Sequence, residues 1–230
     1  MRNAAAVFYK QIKDTWKNKT VLIQFLLFPV MTVVMNRAVK MENMTENFFT
    51  ELFAVMYIGM APLMSGAAIV SEEKENGTLR ALFMAGVKPS EYLFGVGGYL
   101  WIACMIGSLI MVFSGNYTAS QIPCFLLIMA VGIMISQMMG ACVGIMSSSQ
   151  MAASSMAIPI MMVFSFLPML AMFNQTIGAV AKYTYTQQLQ TLLSSIGYGI
   201  VSADNLWILG GNGVIVLLLF LFIYKKNGLE

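Results

Sequence analysis

Apolar residues along this chain are grouped into six long uncharged runs, separated by short polar connections. The runs cover residues 20–36, 52–70, 93–113, 122–146, 151–173 and 206–224. Each run is near the length of about 20 residues that a helix needs to cross the hydrocarbon core of a bilayer. The pattern predicts an all-α polytopic membrane protein with six transmembrane helices, and an even number of spans places both termini on one side.

The first 19 residues precede these runs and follow a different pattern. One helical face carries apolar residues, namely Ala5, Phe8, Tyr9, Ile12 and Trp16, and the adjacent face carries Lys10, Lys13 and Lys17. This arrangement is typical of a helix that lies in the headgroup layer of a membrane. We predict an amphipathic elbow helix over residues 1–19, and the alternative is an ordinary basic flank of the first span.

The connection between the last two runs, residues 174–205, is long and partly apolar. Four apolar residues recur at helical spacing, namely Leu189, Leu192, Leu193 and Ile196, beside the polar residues Gln187, Gln188, Gln190 and Ser194. The spacing predicts a short helix that re-enters the outer leaflet or lies on it. A seventh span is the alternative, but the glutamines disfavour it.

The composition agrees with a membrane protein. Hydrophobic residues make up 59% of the chain and charged residues 10%, against about 25% charged residues in soluble domains. The mean hydropathy is +0.77. The 230 residues are taken up by the runs and their connections, so we expect one transmembrane domain over residues 1–230.

Basic residues in the connections predict the orientation. The side shared by the termini carries ten of them, namely Arg2, Lys10, Lys13, Lys17, Lys19, Lys74, Arg80, Lys88, Lys225 and Lys226. The other side carries three, namely Arg37, Lys40 and Lys182. Since cytoplasmic loops are rich in Lys and Arg, both termini are predicted to be cytoplasmic. The net charge of +3 then needs no nucleic-acid partner.

The residue types that are absent exclude several kinds of chemistry. The chain has no histidine, so it cannot supply a Ser-His-Asp triad, an H-E-x-x-H zinc site or a His-ligated haem. It also lacks the G-x-x-x-x-G-K-[ST] loop that binds nucleotide phosphates. We therefore expect a non-catalytic chain that binds no cofactor or metal, and any energy for transport must come from a partner.

A charged segment, Ser71–Glu91, separates the second and third runs. Its sequence predicts a short helix between two turns. Asn76-Gly77 is expected to break the second span, Thr78 to cap a new helix, and Gly86 to accept the left-handed position at its end. Leu79, Leu82 and Phe83 form a narrow apolar stripe on that helix. A plain cytoplasmic loop is the alternative.

Residues 71–82, followed by Gly86-Val87-Lys88-Pro89-Ser90 and Gly95, resemble the E-x-E-x-G-T-L-x-x-L…P-x-S segment of type-2 ATP-binding-cassette (ABC) transporter permeases. The resemblance implies that the short helix is a coupling helix that docks on a separate ATPase subunit, where ATP and Mg are bound. It implies a docking stripe and polar contacts, which in this chain are Glu72, Glu73, Glu75, Gly77, Thr78, Leu79, Leu82, Phe83 and Gly86. Lys74 between the glutamates and Val96-Gly97-Gly98 after Gly95 depart from the family pattern.

Six helices from one such chain enclose little space, so we expect a transport path where two permeases, identical or related, meet. The resemblance implies that the first, second and fifth spans face that seam. Polar candidates for a translocation path there are Gln24, Thr32, Tyr57, Ser65, Ser155 and Ser165. Met56, Met60 and Met64 recur every four residues on the second span and are further candidates, because methionine adapts to varied apolar ligands. The alternative is that these methionines fill helix contacts.

The function expected from the resemblance is that of a permease subunit of a bacterial plasma-membrane ABC exporter. Its cargo would be a hydrophobic or amphipathic antibiotic, drug or antimicrobial peptide. The alternative is a membrane scaffold or sensor that binds a partner and transports nothing. A third class, a lipid-modifying enzyme, would need Glu72, Glu73 and Glu75 to bind a metal.

Overall fold

The computed structural model describes residues 2–17, 19–39, 45–198 and 203–227. Its helices are α1 (Arg2–Lys17), α2 (Lys19–Ala38), α3 (Phe48–Glu75), α4 (Thr78–Met84), α5 (Pro89–Ser114), α6 (Ile122–Met146), α7 (Gln150–Phe173), α8 (Gln175–Ala181), α9 (Tyr185–Ser195) and α10 (Ala203–Asn227). A short 3-10 turn, Ile196–Tyr198, follows α9. Six helices are long and apolar enough to span a membrane, namely α2, α3, α5, α6, α7 and α10. The all-α prediction with six spans is confirmed.

Helix α3 is the central helix of the bundle. It packs against α2, α5, α6, α7 and α9, and most of its side chains are buried. Its closest neighbour is α6, where a Cβ on Gly140 would overlap the carbonyl group of Leu63, and one on Gly144 would lie 2.8 Å from Val70 Cβ. Glycines four residues apart therefore let the two backbones approach closely, as in other membrane helix pairs.

A helix forms in the predicted amphipathic segment as α1, and the face that packs on the bundle is not the one that carries Tyr9 and Trp16. Val7, Gln11 and Thr15 are buried at four-residue spacing, whereas Tyr9 and Trp16 are 60% and 75% exposed. Gly95 of α5 is the physical reason, because its missing side chain lets α1 pack on α5: a Cβ there would lie 2.8 Å from Val7 Cβ. The exposed aromatic residues suit the membrane interface.

The connection after α7 folds into a helical hairpin that enters the bundle. Helix α8 packs along α7, and α9 packs among α3, α6, α7 and α10. The Tyr185 hydroxyl, at the start of α9, lies 2.7 Å from Ser136 Oγ in the middle of α6. Gln190, further along α9, contacts Met172 near the end of α7. The hairpin therefore runs from the end of α7 into the bundle and back toward that end, and its re-entry into the membrane stays a prediction.

The two ends of the bundle are chemically different. One end holds α1, α4, the ends of α3, α6 and α10 and the starts of α5 and α7, and we call it the basic end. At the opposite end Asn36 joins three helices, since its amide donates to Thr50 Oγ1 at 2.8 Å and to the Ser114 carbonyl oxygen at 3.1 Å. The candidate functional segment lies at the basic end.

Candidate functional site

Glycine residues fix both ends of α4, the short helix of the charged segment. Gly77 has φ +67° and turns the chain out of α3. Gly86 has φ +87°, and the amides of Gly86 and Val87 donate to Phe83 and Leu82 carbonyl oxygens at 3.0 and 3.1 Å. This double hydrogen bond is a Schellman motif, which confirms the left-handed conformation predicted at Gly86.

Thr78 has a different role from the expected one. The N-cap of α4 is Gly77, so the prediction that Thr78 caps the helix is wrong. The Thr78 hydroxyl instead donates to the Glu73 carbonyl oxygen at 3.0 Å. Because a left-handed residue at the N-cap leaves Thr78 as the first helical residue, its side chain satisfies an unpaired carbonyl at the end of α3.

The apolar stripe of α4 faces the protein. Leu79 is 1% exposed, and Leu82 and Phe83 are half-buried against the same core. The Phe83 ring makes an edge contact with Tyr92 of α5, with centroids 6.3 Å apart. The burial of Leu79 stabilises α4 against the core of the permease, and a docking role for Leu79 stays a prediction. Docking roles for Leu82 and Phe83 stay predictions.

A different face of α4 points outward. It carries four exposed residues, namely Arg80, Ala81, Met84 and Ala85. Met84 is 77% exposed, which is a large exposure for an apolar side chain of this size. The pattern of the sequence did not single it out, because Leu82 and Phe83 are more apolar. The outward face combines one flexible apolar side chain with one cation.

Glu73 lies under α4 and is nearly inaccessible, at 6% exposure. Its Oε1 accepts a hydrogen bond from Lys10 Nζ at 2.5 Å and another from the Gln11 amide, both on α1. Its Oε2 and the nearby Tyr92 hydroxyl are buried without a hydrogen bond of ordinary geometry to a described residue. Glu73 therefore joins α1 to α3, and its role as a polar contact for a partner stays a prediction.

The other two glutamates join α3 to α7. Glu75 Oε2 accepts from the Gln150 backbone amide at 2.7 Å, and Glu72 Oε2 accepts from the Gln150 side chain at 3.4 Å. Lys74 Nζ donates to the Ile145 carbonyl oxygen at the end of α6, at 2.9 Å. Within the described ranges, no group of three acidic or cysteine side chains is arranged to bind a metal. The acidic run thus connects elements of the basic end.

A groove of about 730 Å³ lies beside these contacts. Its polar walls come from α1, α2 and the end of α3, and include Lys10, Asp14, Glu72 and Asn76. Tyr99 of α5 also holds α1 in place, because its hydroxyl donates a hydrogen bond to Thr15 Oγ1 at 2.6 Å. Thr78, the first residue of α4, lines the groove, so the groove adjoins the start of α4 at the basic end.

The residues predicted for a translocation path are mostly inside the subunit. Thr32, Met56, Tyr57, Ser65 and Ser165 are buried, Gln24, Met60 and Met64 are half-buried, and Ser155 is exposed. Several of the polar groups bond within the bundle: Ser65 donates to Gln24 Oε1 at 3.1 Å and Ser165 to the Met56 carbonyl oxygen at 3.3 Å. In the structure these hydrogen bonds join α2 to α3 and α3 to α7. The assignment of the residues to a translocation path stays a prediction.

A model of the ABC-2 family of transporter proteins matches residues 2–224. The chain belongs to this family. Among curated proteins, none matches it significantly. This ABC-2 protein is therefore the membrane permease component of an ABC transporter, a kind of component that generally has no catalytic site, and its family implies an ATPase partner.

Three side chains of the candidate site in this ABC-2 permease were not found from the sequence. Lys10 and Gln11 meet Glu73 across 63 and 62 residues, and the Gln150 side chain meets Glu72 across 78 residues. No local pattern marks such pairs. The sequence contained only an indirect indication of these contacts. A run of acidic residues that becomes buried needs cationic or amide partners.

Proposed function

We propose that the protein is the permease subunit of an ABC exporter and that a separate ATPase subunit docks on the outward face of α4 and the adjoining groove. The observation that carries this proposal is the fixed position of α4, with Leu79 buried and Met84 exposed. A large apolar side chain held outward on a rigid helix is the kind of anchor that protein interfaces use. ATP and Mg would be bound by the ATPase subunit.

The contacts of α4 support a role in transmitting movement. Thr78 bonds to the end of α3, and Phe83 packs on Tyr92 of α5. Through Glu73, the same end of α3 is joined to α1. A displacement of α4 by an ATPase would therefore act on the central helix of the bundle through packed side chains and hydrogen bonds.

The distribution of charge supports a cytoplasmic location for the basic end, and hence for both termini. In the described residues this end carries Lys10, Lys13, Lys17, Lys19, Lys74, Arg80, Lys88, Lys225 and Lys226. The opposite half of the bundle carries Arg37 and Lys182. Such an excess of cations marks the cytoplasmic side of a plasma-membrane protein.

The cargo we propose is hydrophobic or amphipathic, such as an antibiotic, a drug or an antimicrobial peptide, and it moves at a seam between two permeases. The exposure of α7 supports the seam. This span exposes Met162, Val163 and Phe166 along with Ser155, so it has an apolar surface with a polar point. The second permease is either an identical chain or a related one.

The docking proposal is tested with Met84→Asp and the matched control Met84→Leu. The permease is purified together with its ATPase, and the amount of bound ATPase and the ATP turnover of the complex are measured. We expect Met84→Asp to lose both and Met84→Leu to keep both, because a charge in the centre of an interface is costly to desolvate. Unchanged binding and turnover in Met84→Asp would refute docking on this face.

Transport itself is tested in sealed vesicles that contain the intact complex. We expect ATP-dependent movement of an amphipathic dye, and Met84→Asp should abolish it. A complex that binds the ATPase but moves no substrate would favour the scaffold or sensor alternative over the exporter.

A further inference from the structure

The turn between α8 and α9 carries a cation on the surface of the membrane-spanning bundle. Lys182 and Tyr183 in this turn are both exposed, Tyr183 at 63%. The Lys182 ammonium lies 4.9 Å from the centre of the Tyr183 ring. Among the described residues, no carboxylate forms an ion pair with Lys182.

Contacts with three spans place this turn about midway along the axis of the bundle. The Tyr183 carbonyl oxygen accepts from the Asn212 amide of α10 at 2.9 Å. The Tyr185 ring lies 5.0 Å from the Phe164 ring of α7, and its hydroxyl reaches Ser136 of α6. Asn212 and Phe164 are each about nine residues, or roughly 14 Å, from the opposite end of their helices. Since the hydrocarbon core of a bilayer is about 30 Å thick, the turn lies near its middle.

A cation at this depth is unfavourable unless a partner compensates it. The hydrocarbon core solvates an ammonium group poorly, and charged side chains in spans therefore mark functional sites. A Lys side chain is too short to reach the membrane surface from the middle of the bilayer without disturbing the lipid. The Tyr183 ring accepts no ordinary hydrogen bond, and none of the residues that the structure describes accepts one from the Lys182 ammonium.

Polar groups on α9, next to the turn, also lack partners. Thr186, Gln188 and Gln190 are 0%, 4% and 6% exposed, and their side-chain oxygens have no hydrogen-bond partner among the described residues. The Gln188 amide donates to the Lys182 carbonyl oxygen, so this group is tied to the turn. Buried groups of this kind are rare in proteins. A glutamine oxygen only accepts hydrogen bonds, so water and not an anion would satisfy it, whereas the Thr186 hydroxyl can donate to an anion.

We propose that the α8–α9 turn binds the anionic head of an amphipathic molecule in the middle of the membrane. A carboxylate or phosphate would accept from the Lys182 ammonium in a charge-assisted hydrogen bond. The apolar body would lie on the adjoining surfaces of α7 and α10, which expose Val163 and Val214 near this depth. The site needs no ATPase, so its failure and that of the docking proposal are separate results.

The binding test uses purified permease in a neutral detergent and three probes of equal chain length: a fatty acid, a monoalkyl phosphate and a fatty alcohol. Calorimetric titration measures their affinities. Because a hydrogen bond to a charged group adds about tenfold or more in affinity, we expect at least one anion to bind about tenfold more tightly than the alcohol. Preference for the phosphate would indicate a lipid headgroup, and preference for the carboxylate a fatty-acid-like ligand.

Substitutions of Lys182 test whether its ammonium group binds the anion. Lys182→Met should reduce the affinity for the anion to that for the alcohol, and Lys182→Arg should retain most of it. The matched control is Lys226→Met at the basic end, which should bind like the wild type. Equal binding of anion and alcohol by the wild type, or unchanged binding by Lys182→Met, would overturn the proposal.

A second measurement distinguishes a loss of anion binding from a folding defect in the variant. The anionic probe should raise the melting temperature of the wild type and of Lys182→Arg, because a ligand that binds the folded state stabilises it. We expect no such rise for Lys182→Met, whose melting temperature without probe should match that of the wild type. A rise of equal size in Lys182→Met would contradict the site.

Discussion

Lys10 and Glu73 form a salt bridge between the N-terminal helix and the end of the central helix, with Nζ and Oε1 2.5 Å apart. Glu73 is almost fully buried, whereas the Lys10 side chain is 33% exposed. The pair holds α1 against the part of α3 from which α4 emerges. A helix that otherwise lies at the bundle surface is thereby connected to the candidate docking surface.

Removing the lysine should destabilise the protein. Lys10→Met leaves the Glu73 carboxylate buried with the Gln11 amide as its main donor, and an under-satisfied buried charge costs about 1–3 kcal/mol. Thermal unfolding in detergent measures the loss. Lys13→Met is the control, because Lys13 is exposed and lies 4.9 Å from the Tyr9 ring, so its loss should have little effect. Equal melting temperatures for the wild type and Lys10→Met would contradict a structural role for the pair.

A double-mutant cycle separates the pair from the burial of each group. Glu73→Gln removes the charge that Lys10 compensates, so Lys10→Met should cost less in the Glu73→Gln background than in the wild type. Additive effects of the two changes would mean that the residues do not interact energetically.

Burial predicts opposite results for two apolar residues of α4. Leu79→Ala opens a cavity under the helix and should cost about 2–5 kcal/mol of unfolding free energy. Met84→Ala changes an exposed side chain and should leave stability within about 0.5 kcal/mol of the wild type. Chemical denaturation measures both variants. If Met84→Ala were the more destabilising change, the observed orientation of α4 would be wrong.

The left-handed residues at the ends of α4 should tolerate only glycine. A Cβ at Gly77 or Gly86 meets no atom within 4 Å, so the effect of alanine there is due to the backbone alone. Left-handed conformation costs residues other than glycine roughly 1–2 kcal/mol. Gly86→Ala should therefore increase hydrogen exchange at the amides of α4. Gly211→Ala is the control, since Gly211 also has open space but has no positive φ, and exchange in α4 should not change.

Much of the fold could be predicted from the sequence because the membrane requires long apolar helices. The six runs, the short helix after Gly77 and the helix containing Leu189 and Leu192 all appear in the structure. Apolar length and glycine turns are local properties, so a single sequence displays them. The depth of α9 could not be predicted, since it depends on contacts such as that between Tyr185 and Ser136, which are 49 residues apart.

The candidate site was only partly predictable for a related physical reason. The sequence located the segment and its turns, but it did not show which side of α4 faces the core. Leu79, Leu82 and Phe83 formed the most apolar stripe, and in this bundle that stripe is used for packing on α3 and α5. In a protein with few charged residues, an apolar pattern marks burial as readily as docking, and only the tertiary contacts distinguish the two.

The close packing of α3 on α6 leads to a last prediction, which concerns both the stability of the permease and its coupling to the ATPase. A Cβ at Gly140 would overlap the carbonyl oxygen of Leu63 and lie 2.9 Å from its carbonyl carbon, and a backbone group cannot rotate away as a side chain does. Gly140→Ala should therefore push α3 from α6 and cost about 1–3 kcal/mol, as measured by thermal unfolding.

Gly213→Ala in α10 is the matched control, because the nearest atom to a Cβ there is 3.7 Å away and belongs to a side chain. It should leave the melting temperature unchanged or slightly higher, since alanine favours helix over glycine. Because α3 leads directly to α4, the shift caused by Gly140→Ala should also lower ATP turnover in the complex with the ATPase while ATPase binding persists. A stable Gly140→Ala variant with normal turnover would show that the contact between Gly140 and Leu63 does not hold the two helices in position.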